Sequence, residues 1–225
     1  LHELKALIAH PMCRGVWFGY PCGTFSSARR DDGGPPALRG TNPKDIWGTP
    51  HLVGKERVRV NPANKLLLRM DELMNHLGSN NVPFYIENPQ RSKLWMHPIV
   101  KTWINHKSSH KIEFDYCQFG TTWKKVTSVL AFGNRDFNKS LRRKCRETWC
   151  GKRSQCSHTG EFHEILTGFV KNKAKGQYKT SAACPYPLPF CEFLAPVLVA
   201  PKYTAPIATG ELMMVVGPAV SMQPP

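Results

Sequence analysis

The chain has 225 residues, of which 41% are apolar, enough for one domain with its own core and too many for wholesale disorder. A formal net charge of +15 and an isoelectric point of about 9.7 favour a polyanionic partner, nucleic acid first, over neutral or acidic ones. Fourteen Lys/Arg against four Asp/Glu lie between Thr121 and Thr180, and such a focused patch suits phosphate contacts. No stretch approaches the roughly 20 apolar residues of a membrane span. The amphipathic N-terminus lacks a signal-peptide layout, so the eight cysteines read as thiols or metal ligands, not a disulfide framework. The expected location is intracellular, and nuclear if the source is eukaryotic.

Leu1, Leu4, Leu7 and Ile8 fall on one face at helical spacing, so the chain opens on a helix that Pro11 ends. Arg14 to Gly19 then reads as a short buried strand running into Pro21-Cys22. Residues 27–56 are rich in Gly, Pro, Arg and Asp and form a long irregular loop, the kind that is functional or disordered. Val60, Leu66, Leu67, Met70, Leu73, Met74 and Leu77 fit an amphipathic helix over 56–77, stopped by Gly78 and Asn80-Asn81. A second strand, Val82 to Ile86, ends at Glu87-Asn88-Pro89. Trp95 reads as a core residue. A third strand spans Lys111 to Tyr116 and a fourth Val126 to Phe132. Strands alternating with helices predict an α/β fold with a mostly parallel sheet. In such sheets ligands gather beyond the carboxyl ends of the strands, where Cys22 and Glu87 both fall.

Three segments carry motifs in a recurring order: Gly19-Tyr20-Pro21-Cys22-Gly23-Thr24-Phe25-Ser26, Glu87-Asn88-Pro89, and Gln118-Phe119-Gly120-Thr121-Thr122-Trp123-Lys124-Lys125. Together they resemble the nucleophile loop, the Glu-Asn-Val segment and the arginine-bearing segment of the cytosine-C5 DNA methyltransferases. The resemblance covers roughly residues 14–130. It implies a partial Rossmann-like methyltransferase sheet, with Cys22 as the nucleophile that adds to cytosine C6 and Glu87 as the acid held against the base edge. S-adenosylmethionine is the implied cofactor, with Pro21, Asn88 and Pro89 near its pocket. DNA is the implied substrate and RNA the alternative. Ser26, Arg29, Arg30, Lys124, Lys125, Arg142, Arg143 and Lys144 are the implied nucleic-acid contacts.

The chemistry asks for these residue types. C5 becomes nucleophilic only after a thiolate adds to C6, and a carboxylic acid on N3 stabilises the charge that develops. Backbone amides, Arg29 and Arg30 are positioned in sequence to lower the Cys22 pKa. The base must be flipped out or already unpaired.

The sequence also departs from the family. The glycine-rich cofactor loop and the acid that holds the ribose are not recognisable, nor is the closing Gly-Asn segment. Tyr20 replaces a proline, Gly23-Thr24 replaces Gln-x, and Trp123, Lys124 and Lys125 stand where Gln and arginines are expected. Lysine does not reproduce a bidentate arginine clamp. These departures imply a fragment or a degenerate remnant of an enzyme. A second constellation, Cys145, Cys150, Cys156 and His158 with His163 beyond, offers candidate zinc ligands. A non-catalytic basic nucleic-acid-binding module, stabilised by zinc, is therefore the alternative reading, and Cys22 is then an ordinary buried thiol. The expected organisation is a core over 1–132, a basic Cys/His insert over 133–180, a returning helix over 181–195 and a loosely ordered tail over 196–225.

Overall fold

The computed structural model describes residues 1–29, 36–137, 141–166, 168 and 179–199. Its elements are α1 (His2–Ala9), β1 (Val16–Gly19), α2 (Gly54–Ser79), β2 (Phe84–Pro89), α3 (Pro98–Ile104), β3 (Ser109–Asp115), β4 (Val126–Phe132), the two short strands β5 (Thr148–Cys150) and β6 (Arg153–Gln155), and α4 (Leu188–Val199). The fold is mixed α/β.

The main sheet has the order β1-β2-β4-β3. Only β1 and β2 pair in parallel; β4 is antiparallel to both β2 and β3. This corrects the expected mostly parallel sheet, and the connections give the reason. Between β1 and β2 lies α2, long enough for a crossover. The link over residues 116–125 is too short for the dozen or more residues a parallel return needs. Thus β4 turns back beside β3 and takes the place next to β2. The strands β1, β2 and β3 still share one direction.

Five consecutive residues of β2, Phe84 to Asn88, are buried, as a strand covered on both faces requires. Side chains alternate across it. Phe84 and Ile86 join a core with Ile8, Leu67, Met74, Trp95, Val100 and Trp103, under α1, α2 and α3. Tyr85 faces the other way, into a cluster with Phe114, Val129, Phe137, Phe190 and Leu194 under α4. Glu87, two residues on, shares the Tyr85 face. Trp95, 7% exposed, is a core residue as the sequence indicated.

Three stretches differ from the sequence reading. Residues 36–53 are not structureless: Leu38, Ile46 and Leu52 are buried, and Leu38 and Leu52 pack on Val60 of α2. The helix α2 begins two residues earlier than periodicity suggested, at Gly54, whose φ of +49° suits glycine. The returning helix α4 runs on to Val199, through Pro196; the tail beyond lies outside the described residues. Among those residues, no helix is long and apolar enough to cross a membrane.

Candidate functional site

Cys22 opens a single 3₁₀ turn immediately after β1, closed by the Phe25 amide on the Cys22 carbonyl at 3.0 Å. The turn is held from several sides. Asn88 Nδ2 donates to the Tyr20 carbonyl at 2.7 Å, binding the end of β2 to the loop beyond β1. The Tyr20 hydroxyl donates to the Ala63 carbonyl of α2. Phe25 is fully buried, and the Lys93 amide donates to its carbonyl at 2.9 Å. Arg39, also fully buried, lies 3.8 Å over the Phe25 ring. Its guanidinium donates to Thr24 Oγ1 (3.2 Å), the Ile46 carbonyl (2.8 Å) and Asn64 Oδ1 (2.7 Å). Burial lowers the Arg39 pKa to about 10, against the opposing influence of Tyr20. Periodicity does not single out this arginine, which sits in a loop that carries no period.

The parallel register sets Gly19 beside Glu87, so Cys22 and Glu87 lie toward the same end of neighbouring strands. Cys22 follows β1 as expected, whereas Glu87 lies within β2 and not beyond it, because the strand runs on to Pro89. Glu87 is 5% exposed. Its Oε2 accepts from the Tyr186 hydroxyl at 3.0 Å, while Oε1 is buried without a hydrogen-bond partner among the described residues. Tyr186 in turn accepts from Trp17 Nε1 at 3.1 Å, giving a Trp17–Tyr186–Glu87 chain. A Cβ on Gly19 would collide with the Tyr186 hydroxyl, so the glycine that ends β1 leaves room for that contact. The sequence reading placed Tyr186 only at the start of a returning helix and assigned it no role.

Lys125 supplies the positive charge. Its Nζ donates to the Ala183 carbonyl at 3.1 Å and lies 5.0 Å over the Tyr116 ring. Burial raises the Glu87 pKa, opposed by Lys125 and by the Tyr186 hydrogen bond. Burial also raises the Cys22 pKa; Lys125 lowers it, and Glu87 and Cys184 add to the rise. The expected depression of the Cys22 pKa is thus not realised, because desolvation outweighs Lys125, the cation that acts on the thiol among the described residues. Arg29 donates to the Pro36 carbonyl at 3.2 Å instead, and Arg30 lies outside the described residues.

The remaining expected contacts divide. Ser26 accepts from the Ala28 amide at 3.2 Å. Lys124 is turned away from Cys22 into an ion pair with Glu147 at 2.8 Å. Lys144 pairs with Glu113 at 2.9 Å. Arg142 and Arg143 are exposed, the latter 5.0 Å over the Phe119 and Phe193 rings. Of the residues expected at a cofactor pocket, Asn88 is committed to Tyr20, and the Pro89 carbonyl accepts from Trp95 Nε1 at 2.9 Å. Pro21 lines an apolar groove of about 350 Å³ with Val58, Pro62 and Leu66. No carboxylate lines that groove, so it lacks the usual ligand for a ribose. These residues do not fit S-adenosylmethionine.

A second cluster lies at the carboxyl end of β3. The donor atoms of Cys117, Cys145, Cys156 and His163, all buried, lie within 4.8 Å of one another. Such a group can hold a metal. It keeps Cys145, Cys156 and His163 from the constellation read in the sequence, drops Cys150 and His158, and adds Cys117. Cys150 is exposed at the end of β5, and His158 is exposed, contributing its amide to Cys156 Sγ at 3.4 Å. Cys117 comes from outside the window read in the sequence, from the 3₁₀ turn Tyr116–Phe119 that follows β3, and His163 lies just beyond β6. Comparison of the chain with protein-family models, with characterised proteins and with solved structures finds no match.

Proposed function

We propose that this chain is a cytosine-C5 methyltransferase-like domain in which Cys22, Glu87 and Lys125 activate an extruded cytosine in DNA. The observation that carries this reading is a half-buried thiol just past β1 and a buried carboxyl group on the adjacent parallel strand β2, whose Oε1 has no hydrogen-bond partner among the described residues. The common direction of β1, β2 and β3, with Cys22 past the end of β1 and Glu87 in the carboxyl half of β2, also supports reading the sheet as the partial Rossmann-like sheet of such enzymes.

The tasks of the side chains follow from their surroundings. The Cys22 thiolate forms a bond to C6, and the C5–C6 π pair moves onto C5 and into the ring amidine. Burial favours the protonated form of Glu87, and a carboxylic acid is the form that donates to N3 as charge builds there. Lys125 offsets the negative charge of the adduct. S-adenosylmethionine is the methyl donor of the family resembled, but the residues expected around it do not form its pocket. The reaction proposed for this chain's own residues is therefore the addition step.

That step has a direct test. In 5-azacytosine the ring atom after C6 is a nitrogen, so the adduct is completed by a proton and needs no methyl donor. Full-length protein mixed with a single-stranded or mismatched deoxyoligonucleotide carrying 5-azacytosine is expected to give a covalent complex on denaturing gels. Cys22→Ser abolishes it, and Glu87→Gln slows its formation by about 10²- to 10⁴-fold, the usual contribution of a general acid. Adduct that survives Cys22→Ser, or no adduct with any oligonucleotide, refutes the reading. Preference for the ribose version would reassign the substrate to RNA.

A further inference from the structure

We infer that Cys117, Cys145, Cys156 and His163 form a structural zinc site that closes the basic hairpin β5–β6 onto the end of β3. The inference stands apart from the cytosine reading and uses none of its residues.

Two edges of the cluster already have the dimensions of a metal tetrahedron, and all four donor atoms lie within 4.8 Å of one another. With Zn–S near 2.3 Å and Zn–N near 2.0 Å, the edges of a tetrahedral site come to about 3.8 Å between sulfurs and about 3.5 Å between sulfur and nitrogen. The Cys145 and Cys156 sulfurs are 3.8 Å apart, and Cys145 Sγ is 3.7 Å from His163 Nε2. That sulfur separation is far beyond the roughly 2.05 Å of a disulfide bond. Three thiols and an imidazole are a preferred zinc set, and four protein donors leave no open position, which marks a structural site over a catalytic one.

The surroundings orient the ligands as metal sites require. His163 directs Nε2 at the sulfurs, while Nδ1 lies 3.0 Å from Ser154 Oγ and 3.7 Å from Glu147 Oε2. A histidine whose second nitrogen meets a hydroxyl and a carboxylate has its tautomer and ring orientation fixed for ligation. The sulfurs receive polar hydrogens as well, from the His158 amide on Cys156 (3.4 Å) and the Ser157 hydroxyl on Cys145 (3.7 Å). The Cys145 amide donates to buried Asp115 Oδ2 at 2.7 Å, fastening this strand of the site to β3.

The strands β5 and β6 are three residues each, and isolated two-stranded hairpins are marginal in water. Beyond the cluster, the Glu164 amide donates to the Thr122 carbonyl at 2.7 Å. The zinc would therefore supply the cohesion that the hairpin's own packing cannot.

The test is metal content. Full-length protein purified under reducing conditions is expected to carry one equivalent of zinc per chain. Cys117→Ser and His163→Ala should weaken zinc binding by more than about 100-fold, at least what the loss of an outer partner costs. Cys150→Ser and His158→Ala should leave it unchanged. Should the ligand variants fail to fold, cobalt reconstitution of the unaltered chain decides the matter. Intense visible d–d bands with thiolate-to-cobalt charge transfer support the site, and a weak octahedral spectrum overturns it. Substoichiometric zinc after reconstitution overturns it too, as does zinc retained by Cys117→Ser and His163→Ala, or iron with acid-labile sulfide in its place. None of these readouts depends on nucleic acid or turnover.

Discussion

Replacing Tyr186 by phenylalanine isolates the hydroxyl at the centre of the Trp17–Tyr186–Glu87 chain. The aromatic packing is kept, including the 5.7 Å ring contact with Phe190, while two hydrogen bonds are lost, to Glu87 Oε2 and from Trp17 Nε1. Since Oε1 of Glu87 has no partner among the described residues, the variant leaves the buried carboxyl group with none there. Unsatisfied buried groups of this kind cost about 1–3 kcal/mol each; with partial relaxation, about 2 kcal/mol in total is expected at neutral pH. For a chain of this length that is a fall in melting temperature of about 4–8 °C.

The loss should also depend on pH, and its sign is fixed. Burial holds the Glu87 pKa above 4.5, and the Tyr186 bond opposes that rise, so the variant carries a still higher folded-state value. A carboxyl group with a raised folded pKa contributes stability that is full below its unfolded pKa and is lost as pH rises through the folded one. The variant's deficit is therefore expected to be smallest below about pH 4, where Glu87 is neutral in both states, and to grow toward neutrality. Urea denaturation at several pH values measures it. A deficit that grows as pH falls, or no deficit at all, would refute the assignment of this hydroxyl to Glu87.

Two further outcomes follow from the same neighbourhood. Gly19→Ala places a methyl group against the Tyr186 hydroxyl, with an expected cost of about 1–3 kcal/mol; in a Tyr186→Phe background the cost should shrink, a coupling that denaturation of the four proteins in a double-mutant cycle reveals. Lys125→Met removes the cation that opposes the burial-driven rises at both Cys22 and Glu87. Both limbs of the pH profile for 5-azacytosine adduct formation should move upward, each by about one unit for a charge this close and partly screened. Limbs that stay in place or move down would remove Lys125 from the site.

Much of the fold was legible because its signals are local. The strands announced themselves by short apolar runs, α2 by its period, and Cys22 by lying just past a strand end. What the sequence withheld is what depends on long-range pairing. Nothing in Val126 to Phe132 says that the strand will slot between β2 and β3, since alternation is the same in either neighbour's company. Three members of the metal group, Cys145, Cys156 and His163, were visible, and Cys117 was not. Spacing within a short window selects Cys150 and His158, whereas Cys117 becomes a candidate only once the turn after β3 is known to face the hairpin. Cys117 does stand directly after a strand, as Cys22 does, and that was the available signal. Tyr186 and Arg39 left none: one sits in a proline-rich stretch, the other in a loop without period, and each acquires its role from partners distant in sequence.

The order in which the sheet is connected also bears on how the molecule assembles. The pairing of β3 with β4 closes only the link over 116–125, and β4 meets β2 across a modest further loop. Joining β1 to β2 must close the whole span from Gly19 to Phe84, a larger entropic barrier. Along this chain Glu87 and Lys125 can come together early, on a three-stranded intermediate, and the thiol joins them last. Slow folding phases should therefore report on the arrival of Cys22, and a reagent that labels thiols during refolding should see Cys22 lose its unfolded-state reactivity later than buried Cys117 beside β3.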